Sequence, residues 1–326
     1  MKTIRWGIIG CGNVTEVKSG PGFQKAAGSS LVAVMRRNGD RARDYASRHG
    51  VPKWYDNTEE LICDPDVDAV YVATPPSSHK EYTLLAAAAG KPVYVEKPMA
   101  ATTNDCREMI DACNAAGVPL FVAYYRRALD RFLKIKELVD SGSIGTVRCV
   151  NILFLQPNAI DGSKVLPWRV MPDISGGGLF VDLASHMLDF LDRVFGPIET
   201  VSGTAANHLH LYPAEDIVAG NFVFESGVVG NGTWCFSASE KVDRTEIVGS
   251  GGSIRFSTFD AEPIILTTPA GVQQFSIRYP EHIQQPLIQL VVNALNGTGR
   301  SPSTGETGIR TTQVMEEMLK GYYSHQ

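Results

Sequence analysis

No apolar run in this chain of 326 residues approaches the ~20 residues that a membrane-spanning helix requires. Cysteine is sparse: Cys11, Cys63, Cys106, Cys113, Cys149 and Cys235 form no C-x-x-C pair and no clustered Cys/His ligand pattern, which argues against a disulfide framework or a structural metal. Positive charge is not in excess, since 30 Lys and Arg stand against 35 Asp and Glu for a net charge of -5, so nothing drives the protein toward nucleic acid or acidic membrane. Internal repeats and low-complexity segments are also missing. The opening MKTIRWGIIGCG has an apolar stretch too short for an export signal, ended by glycines rather than a cleavage site. Together these absences predict a reduced, cytoplasmic protein that holds no metal and whose partner is a small molecule.

With 44% apolar and 20% charged residues the chain can bury sizeable cores, and its length suits two domains. Through residue 125, short apolar strands alternate with helix-like stretches, the pattern of a parallel α/β sheet. Strands are expected at Ile4–Ile9, 31–35, 69–73, 92–95 and 120–124, with a helix over 81–89 stopped by Gly90 and Pro92. From residue 126 the texture changes. A helix over 129–140 leads into a strand at Val147–Leu155, a Pro/Gly-rich loop over 156–178 and a helix at Leu179–Phe195. Runs at 221–225, 228–235, 246–248 and 264–267 then recur at hairpin spacing, and helices at 281–295 and 306–322 close the chain. The expectation is an α/β protein: a Rossmann doubly wound parallel sheet in residues 1–125, then an α+β substrate-binding and oligomerisation domain in 126–326 on a mostly antiparallel sheet, with the last helix free to pack back on the first domain.

The first strand runs into Gly10-Cys11-Gly12-Asn13-Val14-Thr15. The first glycine permits a tight turn, and the second lets backbone approach a pyrophosphate at the following helix N-terminus. The third small position of such turns is Thr15 here, which weakens the match. At the end of the second strand the usual ribose-binding acid is replaced by Met35-Arg36-Arg37-Asn38, with Arg41 following. Guanidinium groups there suit a 2'-phosphate, so NADP is favoured over NAD, against the plainer reading of solvated arginines at a strand end.

Two further features carry proton chemistry. Glu96-Lys97-Pro98 ends the fourth expected strand, at the edge where ligands of this architecture bind, and a lysine there can donate to a substrate oxygen. After Gly176-Gly177-Gly178, Asp182 and His186 stand at i and i+4, so both reach one face of a helix, while Leu183, Met187 and Leu188 pack the opposite side. A surface lysine and a structural Asp/His pair are the plainer alternatives.

Taken with DPDVDAVYVATPPSSH at 64–79, GKPVYVEKPMA at 90–100, SGSIGTV at 141–147 and GGGLFVDLASHMLD at 176–189, these motifs resemble the glucose-fructose oxidoreductase/inositol dehydrogenase (Gfo/Idh/MocA) family over essentially the whole chain. The resemblance implies a catalytic set of Lys97, Asp182 and His186. It implies a cofactor lining of Gly10, Gly12, Asn13, Val14, Arg36, Arg37, Arg41, Thr74, Pro75, His79, Glu96, Lys97, Trp168 and Arg169. Lys97, Trp168, Asp182, His186 and Tyr279 would meet the substrate. It further implies an NAD(P)-dependent dehydrogenase or reductase acting on CH-OH groups of a sugar, polyol or keto sugar, assembled as a homodimer or homotetramer. Asn151, Gln156, His208 and His210 lie in segments able to face the same cleft. Two other readings remain open: a regulatory protein that binds NADP without turnover, and a glycoside hydrolase or lyase that uses NAD transiently.

Overall fold

In the computed structural model, which describes residues 2–162 and 164–324, the chain divides into two compact units. One comprises Met1–Leu129 with Pro280–Ile309, the other Asp130–Tyr279 with Arg310–Gln326. Residues 280–309 thus return to the first unit.

The first unit is built on six parallel strands, β1 (Ile4–Ile9), β2 (Ser29–Met35), β3 (Lys53–Tyr55), β4 (Ala69–Val72), β5 (Val93–Val95) and β6 (Leu120–Val122), in the order β3-β2-β1-β4-β5-β6. The order reverses between β1 and β4, where doubly wound sheets bind their ligands. β4, β5 and β6 are buried at every residue, as expected of parallel strands covered on both faces. β3 escapes the sequence pattern because it is a three-residue edge strand with no buried position. The helices between strands begin where short polar side chains cap them: Asn38 accepts from the Arg41 amide, Asn57 from Glu59 and Glu60, and Thr102 from Asp105. The helix Gln285–Leu295, with Leu287, Ile288, Val291 and Val292 buried, packs on the helix Gly20–Lys25.

Beneath the turn that follows β1 lies an aromatic cluster. The Phe23 ring sits 4.8 Å from Trp6 and 5.0 Å from Tyr71, and Tyr71 stacks on Tyr94 at 5.2 Å. All four rings are fully buried.

The second unit carries an eight-stranded sheet of β7 (Val147–Leu155), β8 (Ile198–Ala206), β9 (Ile217–Phe224), β10 (Val229–Cys235), β11 (Val242–Gly249), β12 (Ser253–Phe256), β13 (Ile264–Thr268) and β14 (Gly271–Phe275). Its order is β14-β13-β12-β11-β7-β10-β9-β8; only β7 and β10 pair in parallel. Burial alternates along β7 and β9, so one face is apolar. The helices Asp130–Asp140 and Leu179–Phe195 contribute to covering that face: Phe132 meets Phe190 at 4.8 Å and Phe256 at 6.4 Å, and the Trp234 indole N–H points at the Met187 sulfur, 3.2 Å away. Among the described residues no helix is long and apolar enough to cross a membrane.

Removing the ring of Phe23 should hollow out the aromatic cluster. Phe23→Ala is expected to destabilise the first unit by about 3–5 kcal/mol, read as faster hydrogen exchange at the β1 and β4 amides, with the β7 and β10 amides as an internal reference.

Candidate functional site

In the first unit, the chain leaves β1 at Gly10, whose φ of 90° lies in the left-handed region, and a Cβ there would stand 2.7 Å from Thr74 Cγ2. At Gly12 an added Cβ would meet only the Gly10 carbonyl oxygen, at 3.8 Å, so open space faces this backbone. A helical run then starts at Asn13, presenting free amide groups at its N-terminus. These residues fit the pyrophosphate of a dinucleotide. Cys11 lies buried under the turn, where desolvation pushes its thiol up to about 11 and keeps it neutral.

Thr15, the departure from the usual glycine pattern, is fully buried. Its hydroxyl donates to the Gly12 carbonyl at 2.8 Å, while its own carbonyl accepts from Tyr45 Oη at 2.8 Å. The helix is widened into a π turn over Thr15–Ser19, and Gly20 lets it pass, since a Cβ there would come within 2.3 Å of both the Thr15 carbonyl and Tyr45 Oη. The β-branched residue is accommodated by backbone widening.

At the end of β2, Arg36 extends back over the turn, its Nη1 donating to the Cys11 carbonyl at 3.3 Å. Arg37 and Arg41 are exposed, with the Arg41 amide held by the Asn38 cap. Several basic side chains of this unit pair with carboxylates, as in Arg5 with Asp68, Arg48 with Glu16 and Lys53 with Asp64. Among the described residues Arg36, Arg37 and Arg41 form no such pair, leaving three cations available to an anion.

The turns after β4 and β5 are tied together by His79. Its ring is fully buried, with Nδ1 3.1 Å from the Pro98 and Met99 carbonyls and Nε2 2.7 Å from the Thr74 carbonyl. Burial lowers its affinity for a second proton. His79 therefore fixes the Thr74-Pro75 and Pro98-Met99 segments from behind. Glu96, also buried, accepts from Tyr71 Oη, from Gln284 Nε2 at 2.6 Å and from the Lys97 amide at 3.1 Å. This holds the backbone of Lys97, whose side chain is half-buried, before a cis bond to Pro98.

In the second unit, the helix Leu179–Phe195 buries His186, Met187 and Leu188 and leaves Asp182 and Leu183 half-buried. Glu215 anchors its start: Oε1 accepts the Gly178 amide at 2.8 Å and Oε2 accepts Tyr323 Oη at 2.6 Å. A Cβ on Gly178 would come 2.7 Å from the Glu215 carbonyl, so this approach demands glycine. Glu215 is wholly buried, and desolvation pushes its carboxyl above the usual carboxylate range.

Arg169 donates through Nε to Asp182 at 2.9 Å, and its guanidinium lies over the Trp168 ring at 4.4 Å. Trp168, Arg169 and Asp182 therefore form one assembly, with the carboxylate compensated by a planar cation. The Phe259 ring meets the His186 imidazole edge-on, 5.9 Å between centroids. Tyr279 reaches the same segment, donating from Oη to the Thr258 carbonyl at 3.3 Å. Asn151 accepts from Asn231 at 2.7 Å, alternating with buried Val150 and Ile152, and so lies on the sheet face away from His186. His208 lends its amide to Asp216, and His210 its amide to Asn207. Phe259, Glu215 and Gln284 carry no local sequence signal, since long-range contacts alone bring them to these positions.

Residues 4–124 match the GFO_IDH_MocA oxidoreductase family, NAD-binding Rossmann fold, and residues 132–255 match the GFO/IDH/MocA C-terminal domain. The chain is 42% identical to oxidoreductase P35 of Formosa agariphila, over 96% of this chain and 97% of that protein. It is 31% identical to 1,5-anhydro-D-fructose reductase of Ensifer adhaerens, over 94% and 92% respectively. Its fold is similar to that of levoglucosan dehydrogenase solved in complex with NADH, with a TM-score of 0.88, 22% identity and coverage of 99% and 98% of the two chains. Matched in both halves and along nearly its full length, the chain belongs to the Gfo/Idh/MocA family of oxidoreductases.

Proposed function

We propose that this protein is an NADP-linked dehydrogenase or reductase acting on a CH-OH group, or the corresponding carbonyl, of a sugar, polyol or keto sugar. The observation that carries the cofactor assignment is the group of guanidinium side chains at the end of β2, Arg36, Arg37 and Arg41, with no carboxylate partner among the described residues and with Arg36 lying over the glycine turn. Bidentate donors of this kind suit the 2'-phosphate that distinguishes NADP from NAD. Gly10, Gly12, Asn13 and Val14 would hold the pyrophosphate, and Thr74, Pro75, Glu96, Trp168 and Arg169 would line the rest, with His79 fixing two of the turns. The substrate class is supported by the anhydro-sugar reductase among the relatives.

When bound, the nicotinamide supplies or accepts a hydride. The remaining work falls to side chains. Lys97 Nζ hydrogen-bonds the reacting oxygen and stabilises negative charge on it. His186 takes the hydroxyl proton in oxidation and returns it in reduction, a role suited to a side chain that exchanges protons near neutral pH. Asp182, compensated by Arg169, orients the substrate hydroxyls. The outer face of β9, which carries Ile217, Ala219, Asn221 and Val223, would serve association into a homodimer or homotetramer.

A screen of polyols, aldoses and keto sugars with NADP and NAD should give a net change in nicotinamide absorbance; no change with any pair would overturn the assignment. With the best substrate, Lys97→Ala and His186→Ala are each expected to lower kcat by about 10²-fold or more, and near-normal turnover in both would remove them from the chemistry. Direct binding measured by titration should favour NADP. Arg36→Ala with Arg37→Ala should weaken NADP by roughly 10- to 100-fold while leaving NAD little changed, and a wild-type preference for NAD would refute the reading of these arginines.

A further inference from the structure

The segment that follows β12 is unusually well fastened for an irregular turn. Asp243, on β11, takes four donors from it: Ser257 Oγ at 2.7 Å and the amides of Thr258 at 3.0 Å, Phe259 at 2.6 Å and Asp260 at 3.4 Å. The guanidinium of Arg131, 1% exposed, donates to the Ser257 carbonyl at 3.3 Å, and Tyr279 Oη donates to the Thr258 carbonyl at 3.3 Å. Three separate stretches of chain thus fix four residues, and Lys241 pins the far end through Asp260 at 2.5 Å.

This fastening presents one side chain, Phe259. Its ring is half-exposed, meets the His186 imidazole at 76°, and is backed by Phe154 at 5.3 Å, which in turn rests on Phe236 at 6.0 Å. Supported from behind by buried aromatics and held at its backbone, the ring has little freedom to retract.

We infer that Phe259 is a specificity-determining residue that forms an apolar wall beside His186 and selects cyclic over acyclic polyols, with Asp243 as the positioning residue that sets it. The inference rests on the reading above that His186 touches the substrate. A cyclic polyol carries its hydroxyl groups around the rim and offers faces of C–H bonds; such a face lies against an aromatic ring while a rim hydroxyl reaches the neighbouring imidazole. An open-chain polyol has no persistent face and gains little from the wall.

A matched pair of probes separates these cases: 1,5-anhydro-D-glucitol, which has a ring, and D-glucitol, which has none. In the NADP-loaded protein, Phe259→Ala should raise KM for the cyclic probe about 10-fold, the scale of one lost apolar contact, with kcat little altered and D-glucitol unaffected. Phe259→Trp should restore the preference, and Asp243→Asn should shift it in the same direction as Phe259→Ala, to a smaller extent. Equal losses on both probes, or none on either, would overturn the inference. Saturation-transfer NMR provides a readout free of turnover: the ring C–H protons of 1,5-anhydro-D-glucitol should be saturated in the wild type and not in Phe259→Ala. That pattern without turnover would sustain the wall while removing the hydride-transfer reading, and no difference between the two proteins would remove the wall.

Discussion

Backbone amides taken out of water must find acceptors, and in this protein buried or half-buried carboxylates meet that demand where the chain is least regular. Glu96 holds the amide of Lys97, Glu215 that of Gly178, Asp216 those of His208 and Leu209, and Asp243 those of Thr258, Phe259 and Asp260. Each acid costs desolvation free energy, offset by the several donors that converge on it. These acids thereby fasten the segments carrying Lys97 and Phe259 and the start of the Asp182/His186 helix. Polar chemistry at the surface rests on polar anchors beneath it.

The elements most legible in the sequence were those with strong periodicity. The helix Leu179–Phe195 and the strand Val147–Leu155 stand at the residues expected from their apolar spacing, because each has one face against a core and a clear stop at either end. The six-stranded parallel sheet and the mostly antiparallel second sheet also follow the expected classes. β3 was invisible because three edge residues leave no period to read, and the longer extents of β9 and β11 came from pairing with neighbours rather than from propensity.

The candidate site divides along the same line. Gly10, Gly12, Lys97, Asp182 and His186 belong to local motifs and could be singled out by spacing. Asp243 could not: its place opposite Phe154 arises from the register of β11 on β7, and Arg131 and Tyr279 reach the same turn from distant parts of the chain. His79 shows the converse. The family resemblance placed it in the cofactor lining, and spacing alone gave no sign that its imidazole meets the carbonyls of Thr74, Pro98 and Met99.

The widened helical turn at Thr15–Ser19 bears on how nucleotide-binding chains are detected. Patterns that require a small third residue treat side-chain size as a proxy for how closely a helix can approach its strand. Here Thr15 is buried, the glycine stands five positions later at Gly20, where a Cβ would meet the Thr15 carbonyl and the Tyr45 hydroxyl, and the turn between them is widened. A pattern that demands a small residue at the third position fails at Thr15, while the motifs farther along residues 4–124 retain the chain.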